Sequence, residues 1–206
     1  MSASQVRIVV AEDHAMVRQG LKLVISSEPG MCWVGEAGDG HAALELVRSL
    51  QPDVLLLDLG LPLLDGLAVM RTIAQEHLPT RVLVVTARQD PASVRAALAL
   101  GAHGYLLKTD DADALVAALR IAAEGGYQVS AELAGVFEHE AGTQEPLTAR
   151  EVEIAQGVGR GLSSKRIAAE FGISEHTVRK HRENIGRKLG VRNAAELVAW
   201  TIRTRL

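Results

Sequence analysis

Residues 54–62 read Val54-Leu55-Leu56-Leu57-Asp58-Leu59-Gly60-Leu61-Pro62. Four consecutive aliphatic residues with no polar alternation describe a strand buried on both faces, as in parallel sheets covered by helices. The run stops on a carboxylate, and Gly60 and Pro62 then break the chain away from the strand. The same pattern recurs on either side. Val6–Ala11 is followed by Glu12 and Asp13, Val82–Val85 by Thr86 and Ala87, and Tyr105–Leu107 by Lys108. Met31–Ala37 supplies a fifth strand. Helix-length segments separate them at about His14–Ser26, Gly40–Leu50, Gly66–Glu76, Pro91–Leu100 and Asp111–Glu124. In the last of these, Leu115, Ala118, Leu119 and Ala122 form one apolar stripe. Five βα units predict a doubly wound α/β sheet with right-handed crossovers.

In such sheets the ligand crevice lies beyond the carboxyl ends of the strands. A single polar residue there can merely solvate the rim. Here the strand ends bring together three carboxylates (Glu12, Asp13, Asp58), the Thr86 hydroxyl and the Lys108 ammonium. Carboxylates suit a hard divalent cation such as Mg2+, which takes oxygen ligands and keeps several waters. A carboxylate can also accept a phosphoryl group as an acyl phosphate, and Lys108 and Thr86 can supply charge and a donor to its oxygens.

With these residues in view, the first ~125 residues resemble the receiver domain of a bacterial two-component response regulator. The matching segments are Ala11-Glu12-Asp13-His14, Asp58-Leu59-Gly60-Leu61-Pro62 with Asp65-Gly66, Thr86-Ala87, and Gly104-Tyr105-Leu106-Leu107-Lys108. The resemblance implies a flavodoxin-like strand order of 2-1-3-4-5, with Asp58 as phosphoacceptor. It implies Mg2+ held by Glu12, Asp13, Asp58 and the backbone carbonyl of Gly60. It further implies a phosphoryl-binding and switch set of Thr86, Ala87, Tyr105 and Lys108, with Tyr105 turning inward on phosphorylation. Glu12 stands where aspartate is common in this subfamily, but keeps the carboxylate.

Charge divides the chain. Residues 1–145 hold 10 Lys+Arg against 19 Asp+Glu, whereas residues 146–206 hold 12 against 6. A basic module beside an acidic domain points to a polyanionic partner for the C-terminal part. Aromatic residues make up only 3% of the chain, so the cores should be aliphatic, and the one cysteine, Cys32, excludes an internal disulfide. With no secretory leader or membrane-length apolar run, the expected location is the cytoplasm.

The basic module reads as helices. Thr148-Ala149-Arg150-Glu151 is a capping box opening a helix that ends near Gly161. Ser163 or Ser164 caps a second helix to Glu170, and Phe171-Gly172-Ile173 turns the chain. Ser174 then caps a third helix reaching about Leu189. Two short helices about a glycine turn read as helix-turn-helix. At about 100° per residue, Val178, His181, Ile185 and Leu189 share one arc of the third helix. His176, Arg179, Lys180, Glu183 and Arg187 lie opposite, and such a face suits the major groove of DNA.

Leu147–Trp200 is similar to the C-terminal domain of NarL/FixJ (LuxR-type) regulators. The similarity rests on Leu147–Glu151, Gly161-Leu162-Ser163, Lys165-Arg166-Ile167-Ala168, Ile173–His181, Lys188-Leu189-Gly190-Val191 and Ala195-Glu196-Leu197. It implies a fourth helix at about Asn193–Arg203 that pairs two copies on DNA. Arg179, Lys180 and Glu183 are the candidate base readers. Ser164, Lys165 and Arg187 are candidate phosphate contacts, with His176 and Thr177 completing the DNA-binding set. Gly157 and Gly159 stand where the family favours bulkier residues, so the first helix of the module is expected to be soft, at about 0.5–1 kcal/mol per glycine.

The expected organisation is therefore a receiver over 1–125, a linker over 126–146 with a short helix near Val129–Phe137 and an acidic tether at Glu138–Pro146, and a LuxR-type helix-turn-helix domain over 147–206. The two resemblances together imply a DNA-binding transcriptional response regulator, not an enzyme, that accepts a phosphoryl group from a sensor histidine kinase and at most hydrolyses it slowly. Its implied partners are double-stranded promoter DNA, the kinase and a second copy when phosphorylated, with RNA polymerase a further candidate and no membrane. In the family, the unphosphorylated domains pack together and mask the recognition helix. A phosphorylation-independent DNA binder and an aspartyl phosphatase remain alternatives. The phosphatase lacks a second carboxylate two residues after Asp58, where Gly60 stands.

Overall fold

In the computed structural model each apolar run of the N-terminal half becomes a parallel strand. The structure describes residues 5–136 and 145–206. The strands are β1 (Val6–Ala11), β2 (Met31–Ala37), β3 (Val54–Leu57), β4 (Arg81–Thr86) and β5 (Gly104–Leu107), and they lie in the order β2-β1-β3-β4-β5. β1 carries a bulge between Ile8 and Val9 where it pairs with β2. Helices α1 (Ala15–Ser27), α2 (Gly40–Leu50), α3 (Gly66–Gln75), α4 (Pro91–Ala99) and α5 (Ala112–Ala123) connect them.

Side-chain caps start most of these helices. Asp39, Asp65 and Asp90 accept hydrogen bonds from the backbone N–H groups of Ala42, Ala68 and Ser93, and Asp111 accepts from Ala114. Each satisfies a donor the helix leaves open, worth about 1 kcal/mol. The β3 side chains Val54–Leu57 are buried throughout. One face of the sheet packs Ile8, Val10, Leu56, Leu83 and Leu106 against Leu115, Leu119 and Ala122 of α5, so the stripe read in the sequence is the buried face of that helix.

The chain divides into two units, Met1–Ala123 and Glu124–Leu206. The second begins with a two-residue strand, β6 (Gln128–Val129), and a 3-10 helix over Ala131–Val136. Residues 124–136, expected to close the receiver and begin a linker, thus group with the C-terminal unit. The acidic tether expected at Glu138–Pro146 lies mostly outside the described residues.

Four helices follow: α6 (Ala149–Gly159), α7 (Ser164–Phe171), α8 (Glu175–Leu189) and α9 (Ala194–Thr204). Thr148 and Glu151 form the expected capping box, Ser163 caps α7, Ser174 caps α8, and Asn193 caps α9. Gly172 ends α7 with φ +64°, a left-handed conformation that glycine adopts without steric cost. Ile154, Ile167, Val178, Ile185, Leu197 and Val198 build the core between them.

Gly157 and Gly159, expected to soften α6, both stand at close contacts with neighbouring helices. A Cβ on Gly159 would lie 2.6 Å from Thr201 Oγ1, and one on Gly157 would lie 3.1 Å from Ile167 Cγ1. The two glycines let α6 approach α9 and α7 closely. Among the described residues, no helix is long and apolar enough to cross a membrane.

Candidate functional site

Parallel register aligns the carboxyl ends of the strands. Ala11 pairs with Leu57, Leu57 with Val84, and Thr86 with Leu107. Glu12 and Asp58, each one residue past a paired position, therefore emerge side by side, with Thr86 and Lys108 on the far side of Asp58. Glu12, Asp58 and Thr86 are buried, Asp13 and Ala87 are exposed, and Lys108 is half-buried.

Lys108 joins the two buried carboxylates. Its Nζ lies 2.7 Å from Glu12 Oε2 and 2.8 Å from Asp58 Oδ2. The other Asp58 oxygen, Oδ1, accepts the Gly60 N–H at 3.1 Å. Burial acts to raise the Asp58 pKa, but hydrogen bonds from Lys108, the Gly60 N–H and the Thr86 hydroxyl outweigh it and hold the carboxyl below its ordinary value. Burial likewise acts to lower the Lys108 pKa, and its two carboxylate partners carry it above the ordinary value. Asp58 is thus an anion at neutral pH, and Lys108 a cation.

Three carboxylates facing one ammonium leave an excess of negative charge. Glu12, Asp13 and His14 present ligand atoms that all lie within 4.8 Å of one another. His14 Nδ1 sits 3.1 Å from Glu12 Oε1 and 2.7 Å from Asp13 Oδ1, and Arg18 donates to the Glu12 backbone carbonyl at 2.6 Å. Neither His14 nor Arg18 was assigned a role from the sequence. Adjacency to Glu12-Asp13 was the one available signal for His14, and Arg18 gave none.

Thr86 and Tyr105 meet through the backbone of one residue. Thr86 Oγ1 accepts the Arg88 N–H at 3.3 Å, and the Tyr105 hydroxyl donates to the Arg88 carbonyl at 2.9 Å. Tyr105 is fully buried, with its phenol pKa pushed well up, first by burial and then by Asp90. The inward position expected of Tyr105 on phosphorylation of Asp58 is already its position here. Gly66 fixes the approach of α3: a Cβ there would lie 2.5 Å from the Asp58 carbonyl oxygen.

In the second unit α8 divides as its periodicity predicts. Val178 and Ile185 are buried, and His181 and Leu189 are half-buried. His176, Arg179, Lys180, Glu183 and Arg187 are exposed, as is Lys165 on α7. Arg179 pairs with Glu175 one turn earlier, and Thr177 Oγ1 lies 2.7 Å from Ser174 Oγ. Ser164 is buried, and its hydroxyl accepts a hydrogen bond from Arg182 at 2.7 Å. Lys188 reaches the buried Glu151 carboxylate at 2.8 Å, joining the end of α8 to the capping box of α6. Arg182, on neither arc of the helical wheel, was not singled out by the sequence.

Comparison with known proteins agrees with both halves. Residues 8–120 match the response regulator receiver domain family, and residues 145–201 match the family of bacterial regulatory proteins of luxR type. The chain is 39% identical to the NarL transcriptional regulatory protein of Mycobacterium tuberculosis, over 98% of this chain and 96% of that protein. The solved receiver domain of that NarL is 43% identical, with a TM-score of 0.58, over 59% of this chain and 98% of that structure. A structure of the RcsB response regulator of Salmonella typhimurium is 25% identical, with a TM-score of 0.61, over 96% of this chain and 98% of that one. The chain belongs to the response regulator family, and it is a two-component response regulator with a LuxR-type DNA-binding domain.

Proposed function

We propose that Asp58 accepts a phosphoryl group from a sensor histidine kinase and that this modification controls dimerisation and the binding of promoter DNA through α7 and α8. The observation that carries the reading is the Asp58 carboxylate: buried, held anionic, and placed between Glu12, Thr86 and Lys108 at the strand ends. A carboxylate oxygen attacks phosphorus, an O–P bond forms, and the P–N bond to the kinase imidazole breaks. The electron pair of that bond leaves with the imidazole nitrogen, which takes up a proton.

The site chemistry fits Mg2+. Glu12, Asp13, Asp58 and the Gly60 carbonyl are all hard oxygen donors, and their charge exceeds that of Lys108. When bound, the ion neutralises the carboxylates and polarises the phosphoryl oxygens. Lys108 then directs its ammonium to a phosphoryl oxygen, and the Thr86 hydroxyl donates to another. Because Arg88 is held by both Thr86 and Tyr105, a shift of Thr86 toward the phosphoryl group moves the loop that begins α4 and biases a two-state surface. A second copy and double-stranded DNA are the partners this surface and the exposed face of α8 serve. The name of the NarL relative describes transcriptional regulation, and the RcsB structure concerns DNA interaction.

The test is labelling with radioactive acetyl phosphate. The wild-type chain with Mg2+ should incorporate close to one phosphoryl group per chain, while Asp58→Asn, or the wild type with Mg2+ chelated, should incorporate none. Stoichiometric labelling of Asp58→Asn would reject the assignment.

A further inference from the structure

Arg182 is a guanidinium in the wrong place for a solvated cation. It projects from the middle of α8 yet is only partly exposed, and burial pulls its pKa below the ordinary arginine value, offset by Tyr127. A buried cation is costly unless it is well engaged. Its Nη1 donates to the Ser164 hydroxyl at 2.7 Å. Its Cζ also lies 5.7 Å from the centre of the Tyr127 ring, within cation–π range. Both partners come from elsewhere in the unit: Ser164 from the first turn of α7, and Tyr127 from the segment ahead of β6.

That segment makes a second connection. Glu124 Oε2 lies 2.7 Å from Arg166 Nη1 on α7. The pair is exposed and by itself worth little. Together with Tyr127, however, it makes a short stretch of chain touch both helices of the helix-turn-helix. Tyr127 also packs against the core of this unit, so the contact is anchored.

We propose that Arg182 is a positioning residue for DNA reading: it ties α8 to the first turn of α7 through Ser164, with Tyr127 holding it in place, so that Glu124–Val129 is a working part of the reading module. This rests on the DNA-binding reading above. The relative placement of α7 and α8 decides whether Lys165 and the exposed face of α8 meet phosphates and bases together, and helices misplaced by an ångström lose such contacts.

The experiment uses the full-length chain treated with acetyl phosphate and Mg2+, and a duplex that the wild type enriches from a random-sequence DNA library. Arg182→Met keeps the side-chain length without charge, and Tyr127→Leu keeps an apolar side chain and removes the aromatic ring. Each should weaken binding to the enriched duplex, by about tenfold for Arg182→Met and less for Tyr127→Leu, with the salt dependence unchanged. Amide hydrogen exchange in the first turn of α7 should accelerate in both. A salt slope flatter by about 0.9 in Arg182→Met would show that Arg182 itself contacts a phosphate and would overturn the positioning role. Unchanged affinity and exchange in both variants would overturn it as well. A wild-type chain that enriches no duplex would instead reject the DNA-binding reading, and this inference with it.

Discussion

Lys108 Nζ bridges Asp58 Oδ2 at 2.8 Å and Glu12 Oε2 at 2.7 Å, occupying the space between the phosphoacceptor candidate and the buried acidic residue of the first strand. One ammonium therefore compensates the two carboxylates that directly follow β1 and β3. Its removal leaves their mutual repulsion to be relieved by a cation from solution. Lys108→Met should bind Mg2+ more tightly than wild type, on the order of tenfold at low salt, as read by titration calorimetry. Unchanged affinity would mean that the ammonium does not share the cation's field.

Thr86 couples the site to the loop after β4 through Arg88. Thr86→Ala should still be labelled by acetyl phosphate, because the hydroxyl is not the acceptor. It should lose most of the phosphorylation-dependent shift to dimer seen by light scattering, since one donor to the phosphoryl group, worth roughly 1 kcal/mol, is missing. Equal dimerisation per phosphoryl group in the two proteins would contradict this coupling.

Gly159 and Gly157 separate helix propensity from packing. Alanine at either site gains about 1 kcal/mol of propensity. At Gly159 the new methyl meets Thr201 at 2.6–3.0 Å, so overpacking of about 1–3 kcal/mol should win and the variant should be destabilised. At Gly157 the nearest atoms are Cγ1 and Cδ1 of Ile167 at 3.1 and 3.3 Å, which need give only a few tenths of an ångström, so the gain in propensity and the overpacking should nearly cancel. Urea unfolding followed by Trp200 fluorescence in a Trp33→Phe background reads the C-terminal unit alone.

Arg179 and Lys165 test two modes of DNA contact. Arg179→Ala should cost about 1–3 kcal/mol on the preferred duplex and relax selectivity at one base position. Lys165→Ala should weaken binding to all duplexes alike and flatten the salt slope by about 0.9. Single-base variants of the duplex, measured at two salt concentrations, distinguish the two. Uniform weakening by Arg179→Ala would make it a phosphate contact.

His103, just ahead of β5, should make the receiver acid-sensitive. Burial, aided by the Arg81 charge, pushes its pKa down from 6.5 to about 4. The unfolded chain protonates this imidazole at its ordinary value, so between those values it binds more protons than the folded chain. The stabilisation is complete above about pH 6.5 and is lost as pH falls toward about 4, at about 1.4 kcal/mol per unit. Going from about pH 7 to about pH 5 should cost the wild type on the order of 2 kcal/mol from this group, and His103→Gln should lack that contribution. Urea midpoints from Trp33 fluorescence in a Trp200→Phe background measure the difference.

The sequence by itself determined what depends on short spacing. Short aliphatic runs alternating with helix-length segments read as strands buried on both faces, which puts the polar residue ending each such run at one rim. Thr148 and Ser174 act within three residues of themselves and were legible as helix starts, as was the choice of Ser163 or Ser164 that the structure resolves to Ser163. The 3.6-residue period fixed which side chains of α8 face solvent. Only the tertiary structure decided which partners meet across distance: Lys108 with Glu12 and Asp58, Tyr105 with the Arg88 carbonyl, Gly159 with Thr201, and Arg182 with Ser164 and Tyr127. These pairings join residues 17 to 96 positions apart, or involve backbone atoms that every residue carries, so no local pattern marks them. They exist because packing of the sheet and helices brings the groups together, and burial then makes an unmatched polar group too costly to keep.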